Sequence, residues 1–326
     1  MNSTRLADGG SLSSEPLVSA WSRPDGLART ARLALLLVSA LALVSGCDRL
    51  GPSGGGSGQI GFHSYRDGTY DIYVMAADGS GVSRLTEETE WLFAPVWSPG
   101  GELLLVTTDL QGSYDILSVN ADGSGITPLA SEPHDEQLYD WSPEGDRIVF
   151  TVSSASQPNG NLYMMNADGT GIVRLTDDPS DEFQPDWSPD GSRIVFVRAQ
   201  YGENTAVELC VIGADGSDLG CLTQSAETEW DPDWSPDGSE IAYSAYDPLV
   251  SEWDVYVMNA DGTDRIRLTG SPGDDLSPAW SPDGHLIAFT SSRDGDHEIF
   301  VMNADGTEQT QLTDNEVEDG ASCWVP

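Results

Sequence analysis

Lysine is absent from this sequence of 326 residues, so all 14 basic residues are arginines. They are opposed by 54 acidic residues, which give a formal net charge of −40. Because binding to nucleic acid or to an anionic membrane surface needs a basic footprint, this balance excludes both as partners. It favours either solubility in salt or a cationic partner, such as a metal ion or a basic protein patch.

Motifs of common catalytic sites are also missing. The sequence has no G-x-S-x-G motif, no P-loop and no dinucleotide fingerprint. No HExxH or other metal-ligand spacing connects the histidines, which are His63, His134, His285 and His297. We therefore expect neither an enzyme nor a metal site. Ca²⁺ is the one cofactor left open, through Arg293-Asp-Gly-Asp-His-Glu298, although this segment lacks the EF-hand frame.

The N-terminal region contains an apolar run, Leu33–Val44, that follows Arg29 and Arg32. The run is too short to span a bilayer, so we predict a signal peptide over residues 1–46. Val44-Ser-Gly-Cys47 resembles a bacterial lipobox, which predicts that Cys47 is the lipid anchor. The alternative is an ordinary secretory signal in which Cys47 is incidental.

Both alternatives predict an exported protein. With Cys47 lipidated, the protein is membrane-anchored, faces the periplasm or the cell exterior, and contacts the membrane only through its lipid. Residues 47–58 then form the anchor cysteine and a flexible Gly/Ser-rich linker. We expect the folded domain to cover residues 59–326 and to be a monomer.

Two tripeptide motifs recur through residues 60–326, and both have the same variable spacing of 44 to 47 residues. Ala-Asp-Gly recurs at Asp78, Asp122, Asp168, Asp215, Asp261 and Asp305. Trp-Ser-Pro recurs at Trp97, Trp141, Trp187, Trp234 and Trp280, and Trp324 takes the sixth position. Periods of this length with several short strands in each unit indicate propeller blades.

Within each repeat, alternating and β-branched segments such as Arg193–Arg198 predict strands, and none predicts a helix. Ser-Pro-Asp-Gly predicts a type I turn, and Asn-Ala-Asp-Gly a tight hairpin. The sequence therefore predicts an all-β, six-bladed propeller of four-stranded antiparallel blades. Because the domain begins on a second strand at Ile60 and ends on a first strand at Trp324, the C-terminal strand should complete the N-terminal blade.

The segments Trp187–Gly191, Trp234–Gly238 and Trp280–Gly284 all read Trp-Ser-Pro-Asp-Gly. Together with the following D-x-(V/I)-(Y/F)-V-M-N-A-D-G hairpin and R-L-T, they resemble the WD40-like repeat of TolB-type propellers. The resemblance covers residues 60–326. It implies the propeller fold and binding of an envelope protein or peptide. It does not extend to the N-terminal domain of TolB, so it implies no role in the Tol–Pal system.

The strand order predicts that the repeated short turns share one face of the ring and the variable loops share the other. On that variable face, acids precede five of the six tryptophans, and our candidates at the mouth of the central channel are Glu136, Glu182, Glu229, Asp275 and Asp319. They could attract a cation or a basic loop. Alternatively, each acid fixes its own loop by accepting backbone N–H groups.

Aromatic residues in or beside the variable loops form a second candidate surface, represented by Trp91, Phe183, Trp230 and Trp253. Such rings could stack on a sugar or bind a protein. The alternative is that they pack between neighbouring blades.

Cys210 and Cys221 occupy positions on the third and fourth strands that hold Tyr and Arg in other repeats. A two-residue Asp-Gly turn would place them opposite each other and allow a disulfide, whereas a three-residue bulged turn would shift the register by one. Burial as free thiols is the alternative for both, and we expect it for Cys323.

Taken together, these features predict a non-catalytic cell-envelope scaffold that binds a protein or peptide, with a basic patch, near the central channel. A surface lipoprotein that binds a glycan or polysaccharide is the alternative. A metal-dependent lyase or hydrolase is a third and weaker prediction.

Overall fold

The computed structural model of the protein describes residues 58–87, 91–110, 113–130, 135–153, 159–200, 206–224 and 227–326. The predicted signal peptide, Cys47 and most of the linker lie outside these ranges, and their roles stay predictions. The described residues form 24 β-strands and no helix. Accordingly, the described part of the chain has no helix that could cross a membrane.

In chain order the strands are β1 Gln59–Ser64, β2 Asp71–Ala76, β3 Ser83–Arg84, β4 Leu92–Trp97, β5 Leu103–Leu110, β6 Ser113–Asn120, β7 Thr127–Ala130, β8 Asp135–Trp141, β9 Arg147–Ser153, β10 Asn161–Asn166, β11 Val173–Arg174, β12 Asp181–Trp187, β13 Arg193–Gln200, β14 Ala206–Gly213, β15 Gly220–Cys221, β16 Thr228–Trp234, β17 Glu240–Asp247, β18 Glu252–Asn259, β19 Ile266–Arg267, β20 Asp275–Trp280, β21 Leu286–Ser291, β22 Glu298–Asn303, β23 Thr310–Gln311 and β24 Asp319–Val325.

These strands form six four-stranded sheets, which confirms the predicted six-bladed, all-β propeller. Blades 2 to 6 are β4–β7, β8–β11, β12–β15, β16–β19 and β20–β23. Blade 1 has the order β24-β1-β2-β3, with β24 antiparallel to β1. The C-terminal strand therefore completes the N-terminal blade, as predicted, and pairs with the edge of β1 that would otherwise be free.

The first strand of every blade lies at the centre of the ring. It contacts the first strand of the next blade at all six junctions, from β4 with β8 round to β24 with β4. The outer strands are short, and most contain two residues. Short outer strands offer little exposed edge for pairing with another chain.

The five Trp-Ser-Pro tryptophans and Trp324, which takes the sixth position, are buried between blades. At three junctions the aspartate before one tryptophan accepts the backbone N–H of the next, as when Asp140 Oδ2 binds Trp187 N at 2.8 Å. The other two such bonds join Asp186 to Trp234 and Asp233 to Trp280, both at 2.7 Å. Each bond therefore links neighbouring blades through a buried carboxylate, and such charge-assisted bonds are among the stronger ones.

The hairpin between the third and outer strands contains two left-handed residues. In blade 4, Gly213 N donates to Ser217 O at 2.7 Å, which closes a three-residue loop rather than a two-residue turn. That loop alone would shift the register by one. Asp218, at φ 56°, adds a bulge after this loop. The bulge restores the strand register, so Cys210 pairs with Cys221. The equivalent second residues are Gly81, Gly125, Gly171, Asp264 and Glu308.

Candidate functional site on the variable face

The loops divide between two faces of the ring. On one face, the turn between the first and second strands meets the hairpin between the third and outer strands, where Ala214 N donates to Ser192 O at 3.0 Å. On the other face, the loop before a first strand meets the end of the second hairpin, where Glu182 N donates to Gly160 O at 3.0 Å. We call the second face the variable face, because its loops differ from blade to blade.

The five predicted channel-mouth carboxylates lie at the inner-strand end of the variable face, but they are inside the blades. All five are buried, and they are Glu136, Glu182, Glu229, Asp275 and Asp319. A buried carboxylate needs a cation or hydrogen-bond donors to offset the loss of hydration. Their partners therefore determine what these residues do.

In blade 6 that partner is an arginine from the turn between the second and third strands. Arg293 Nη2 lies 3.0 Å from Asp275 Oδ1, and Ser291 Oγ donates to the same oxygen at 2.5 Å. The guanidinium stacks on the blade's aromatic pair, 4.4 Å from the centroid of Phe300 and 5.4 Å from that of Phe289. Blade 1 repeats this arrangement with Asp319, Arg66, Phe62 and Tyr73.

In blade 5 an arginine again pairs with the buried carboxylate, but it comes from the opposite side of the blade. Arg265, just before the outer strand β19, places Nη1 3.6 Å from Glu229 Oε1 and also pairs with Glu227. Its guanidinium lies 4.1 Å from the centroid of Tyr256 and 5.6 Å from that of Tyr243. The arginine therefore comes from a different segment while the buried ion pair is retained.

Glu182 has a weaker partner. Arg198 Nε lies 4.0 Å from Glu182 Oε1, and burial raises the pKa of Glu182 to about 7 although the Thr176 hydroxyl opposes the shift. Burial and ion pairing favour a structural part for four of these five acids, whose partners are arginine side chains rather than the backbone N–H groups we considered. The four are Glu182, Glu229, Asp275 and Asp319. A partner at the channel mouth would reach them only if these buried pairs opened.

A polar cluster that sequence reasoning missed joins the inner strands of blades 4, 5 and 6. Asp231 is fully buried and accepts hydrogen bonds from Gln184 Nε2, from Ser244 Oγ at 3.2 Å and from Ser277 Oγ at 3.4 Å. Asp231 N donates to Gln184 Oε1 at 3.1 Å. Burial raises the pKa of Asp231 to about 7, while the hydrogen bonds oppose the shift.

The residues of this cluster share a signal that the sequence does contain. Gln184, Asp231 and Ser277 each precede a proline on the first strand, and each has a positive φ between 52° and 53°. Left-handed backbone is uncommon for residues other than glycine and often marks a specialised position. The X-Pro that recurs before four of the six tryptophans could therefore have drawn attention to this level of the ring.

The predicted aromatic residues form two separate clusters. In the first, Trp91 packs on Tyr70 and Phe93, with ring centroids 5.6 and 6.2 Å apart, and Tyr65 packs on Tyr70 at 5.0 Å. Trp91 is 46% exposed and Tyr65 40%, so both rings face solvent. Beneath them His63 is buried, and burial lowers its pKa to about 4.

The second cluster lies between blades 4 and 5. Trp230 packs on Trp253 with centroids 5.0 Å apart and on Phe183 at 6.4 Å, and Tyr246 packs on Trp253 at 5.4 Å. Trp230 is buried, whereas Phe183 and Trp253 are half-buried. Trp230 therefore packs between the blades, as our alternative stated, while its neighbours reach the surface.

The structure joins Cys210 and Cys221 by a disulfide and buries Cys323 as a free thiol. Among the described residues, Glu208 with these two cysteines is the one group of three ligand side chains close enough for a shared metal ion. A disulfide sulfur is not a thiolate ligand, so this group does not suit a metal while the bond is intact.

The Asp-rich segment considered for Ca²⁺ does not gather its carboxylates. Glu298 turns into blade 6, where the Thr313 hydroxyl and Asn315 N bind it, the latter at 2.7 Å, while Asp294 remains exposed. Nearby, His297 Nδ1 lies 2.8 Å from Glu318 Oε2. Ca²⁺ binding stays an untested prediction.

Comparison with known proteins agrees with this architecture. Residues 192–326 match the family described as PD40, the TolB beta propeller domain. No curated protein matches the chain in sequence. TolB from Acinetobacter baumannii is similar in structure, with a TM-score of 0.72, 19% identity, and coverage of 84% of this chain and 68% of that one.

Two enzymes share the fold as well. Hydrazine synthase from Kuenenia stuttgartiensis has a TM-score of 0.70 at 18% identity, over 83% of this chain and 47% of that one. Oligogalacturonate lyase from Vibrio parahaemolyticus has a TM-score of 0.58 at 15% identity, over 83% and 77%. Identities this low compare folds alone, so activity does not follow from them. The family match therefore covers the C-terminal part of the chain, and the described chain as a whole shares the six-bladed β-propeller fold with the TolB propellers.

Proposed function

We propose that this protein is a non-catalytic binding propeller of the cell envelope that recognises a protein or peptide partner through its variable face. At a coarse level, the TolB-like fold supports a protein-interaction scaffold. The envelope location rests on the predicted signal peptide and on Cys47, and the partner's identity is a further step.

The observation that carries the proposal is the difference between the two faces. One face repeats the same hydrogen-bonded turns, whereas the variable face exposes aromatic rings, with Trp91 46% and Tyr65 40% accessible. Large exposed aromatic side chains on rigid elements are typical of protein recognition sites. The acidic chain favours a partner with a basic patch, because the net charge of −40 attracts cations.

The test is an affinity capture from envelope extract with the detergent-solubilised full-length protein. The wild type is compared with a Tyr65→Ser/Trp91→Ser variant and with Glu102→Gln, which changes an exposed residue on the opposite face. We expect one envelope protein in the wild-type and Glu102→Gln lanes, less of it with the aromatic variant, and weaker capture at high salt. Identical protein lanes would contradict recognition through these rings.

Glycan binding is the second candidate, favoured by the same exposed rings. Trp91 meets Tyr70 at an interplanar angle of 76° and Phe93 at 90°, so its indole is held edge-on and offers a fixed face. Aromatic faces of this kind stack on sugar rings. Retention of polysaccharide alone, with little effect of salt, would support this candidate over the protein scaffold.

A metal-dependent lyase or hydrolase remains the least supported. Some proteins with this fold are enzymes by name. In the described part of this chain, however, the one candidate ligand group contains the disulfide cysteines. We therefore propose that the variable face binds and does not catalyse.

A lipid anchor at Cys47 completes the proposal. Changing Cys47 to serine should release the protein from the membrane fraction, because the lipid would be its one membrane contact. Metabolic labelling with a radioactive fatty acid should mark the wild type and not the variant. Labelling of both would contradict the assignment of Cys47.

A further inference from the structure

The hairpin between β17 and β18 in blade 5 exposes apolar side chains at its tip. Both strands contain eight residues and pair from Glu240 with Asn259 out to Asp247 with Glu252. Beyond that last pair, Leu249 is 91% exposed and Val250 54%. No other large apolar side chain of the described residues is exposed as much as Leu249.

Two hydrogen bonds, a proline and one left-handed residue define the conformation of this tip. Asp247 Oδ1 accepts the N–H of Leu249 at 2.8 Å, and Asp247 O accepts that of Ser251 at 2.9 Å. Pro248 fixes one backbone dihedral, and Ser251 closes the loop with a φ of 61°. The exposed side chains are therefore presented on an ordered turn, which lowers the entropy lost on binding.

The tip of this hairpin does not contribute to the core of its blade, whereas the equivalent turns of two other blades do. In blades 1 and 6 the same turn supplies Arg66 and Arg293, which fold back over the aromatic pair of their own blade. In blade 5 that position belongs to Arg265, from the opposite side of the sheet. The core of blade 5 therefore does not need the residues at the hairpin tip.

An apolar row continues from the tip to the junction of blades 4 and 5. Tyr246 pairs across the hairpin with Trp253, which packs on Trp230, and Trp230 packs on Phe183. Phe183, Tyr246 and Trp253 are each half-buried. A partner that covered Leu249 could therefore also cover these rings.

Carboxylates border the same row. Asp247 and Glu252 end the two strands just below the tip, and both are half-buried. Asp274 Oδ1 accepts the N–H of Trp253 at 3.0 Å beside them. The matching surface is apolar at its centre and carries Lys or Arg at its edge.

We propose that this hairpin is the partner-binding element of the proposed scaffold, and that Leu249 and Val250 insert into an apolar pocket with a basic rim on another protein. The inference rests on the proposed function and names its contact residues. The carboxylates favour a protein pocket over an anionic bilayer, because both Asp247 and Glu252 would be repelled by lipid headgroups of the same charge.

The test begins with a photo-crosslinking amino acid in the full-length protein, expressed in the organism that encodes it. It replaces Leu249 in one strain, Tyr65 at the first aromatic cluster in a second, and Glu102 on the opposite face in a third. The protein crosslinked from position 249 is then purified and titrated against three forms of the chain. These are the wild type, Leu249→Ser/Val250→Ser, and Ile172→Ser/Val173→Ser, a control that removes two exposed apolar side chains at the start of the outer strand β11.

We expect one protein to be crosslinked from position 249 and not from position 102. The tip variant should bind it on the order of 30-fold more weakly, the loss typical of a hot-spot residue pair, while the control variant binds as the wild type does. Raising the salt concentration should weaken wild-type binding as well.

Equal affinity of the tip variant and the wild type would overturn the role of the hairpin and leave the scaffold intact. Capture from position 65 alone would have the same meaning. Capture of no protein from either position would overturn both proposals. Tip-dependent co-sedimentation with vesicles of phosphatidylcholine and phosphatidylglycerol would overturn the protein pocket in favour of the membrane.

Discussion

Replacing Asp231 with asparagine should remove a part of the pH dependence of stability that has an unusual sign. Burial raises the pKa of this carboxyl from 3.8 to about 7 in the folded protein. The folded state therefore keeps a proton that the unfolded chain releases between these values. The contribution of Asp231 to stability is greatest below the lower pKa, falls as the pH rises through the interval, and is constant above about 7.

The magnitude follows from the shift and from the surroundings. Asp231 is fully buried, and its partners Gln184, Ser244 and Ser277 are neutral, so solvent and counter-charges screen it little. Each unit of pKa difference corresponds to about 1.4 kcal/mol, so about 3 kcal/mol should be lost between about pH 5 and pH 7. Asparagine resembles the protonated acid in shape and does not titrate, so its variant should not show this loss.

The assay is urea unfolding followed by tryptophan fluorescence, at constant ionic strength from about pH 5 to about pH 8. Asp237→Asn is the matched control, because the Ser239 hydroxyl lowers the pKa of that exposed carboxyl, which therefore titrates below the pH range of the assay. Parallel curves of unfolding free energy against pH for Asp231→Asn and the wild type would refute the reasoning. A steeper fall in the variant would also refute it.

Three further predictions concern the ring itself. Deleting Ser322–Pro326 should abolish the single thermal transition of the whole propeller in calorimetry, because β24 closes the ring at its centre. Changing Cys210 and Cys221 to serine should lower the free energy of unfolding by about 2–3 kcal/mol, since the disulfide closes a loop in the unfolded chain with a sequence separation of 11. Arg293→Met should lower it by about 3 kcal/mol in urea unfolding, because Asp275 keeps a buried charge without its cation.

Each of these has its own control. A truncated chain that still unfolded in one transition at the wild-type temperature would contradict the closure argument. A reducing agent should destabilise the wild type and leave the double serine variant unchanged, and the absence of any effect on the wild type would contradict the disulfide's contribution. Asp294→Asn, next to Arg293 but exposed, should change stability little.

The number of blades could be predicted because Ala-Asp-Gly occurs once per blade, and so does the tryptophan that begins Trp-Ser-Pro in five blades and is Trp324 in the sixth. Proline and glycine favour a turn locally, and an indole fills the space between two sheets, so both markers report position without knowledge of distant residues. The pairing of β24 with β1 followed from the same markers, since the last Trp position lacked its remaining strands and the first repeat lacked its first.

The structural role of the carboxylates predicted at the channel mouth could not be inferred from such local markers. Asp319 pairs with Arg66, which is 253 residues away, while Glu229 pairs with Arg265 from the far side of its own blade. Equivalent buried carboxylates thus have arginine partners at different separations along the sequence. The pairing of Cys210 with Cys221 likewise depended on a bulge at Asp218. The left-handed residue there is an aspartate and not a glycine, so the sequence did not indicate the bulge.

The sequence by itself determined the all-β repeat, the count of six and the closing strand, because turn chemistry and hydrophobic alternation act over a few residues. Only the tertiary structure decided which charges are buried, which aromatic rings are exposed and where Asp231 meets two other blades. Those properties depend on how completely neighbouring blades exclude water. That exclusion arises only when the ring has closed and residues from separate repeats are in contact.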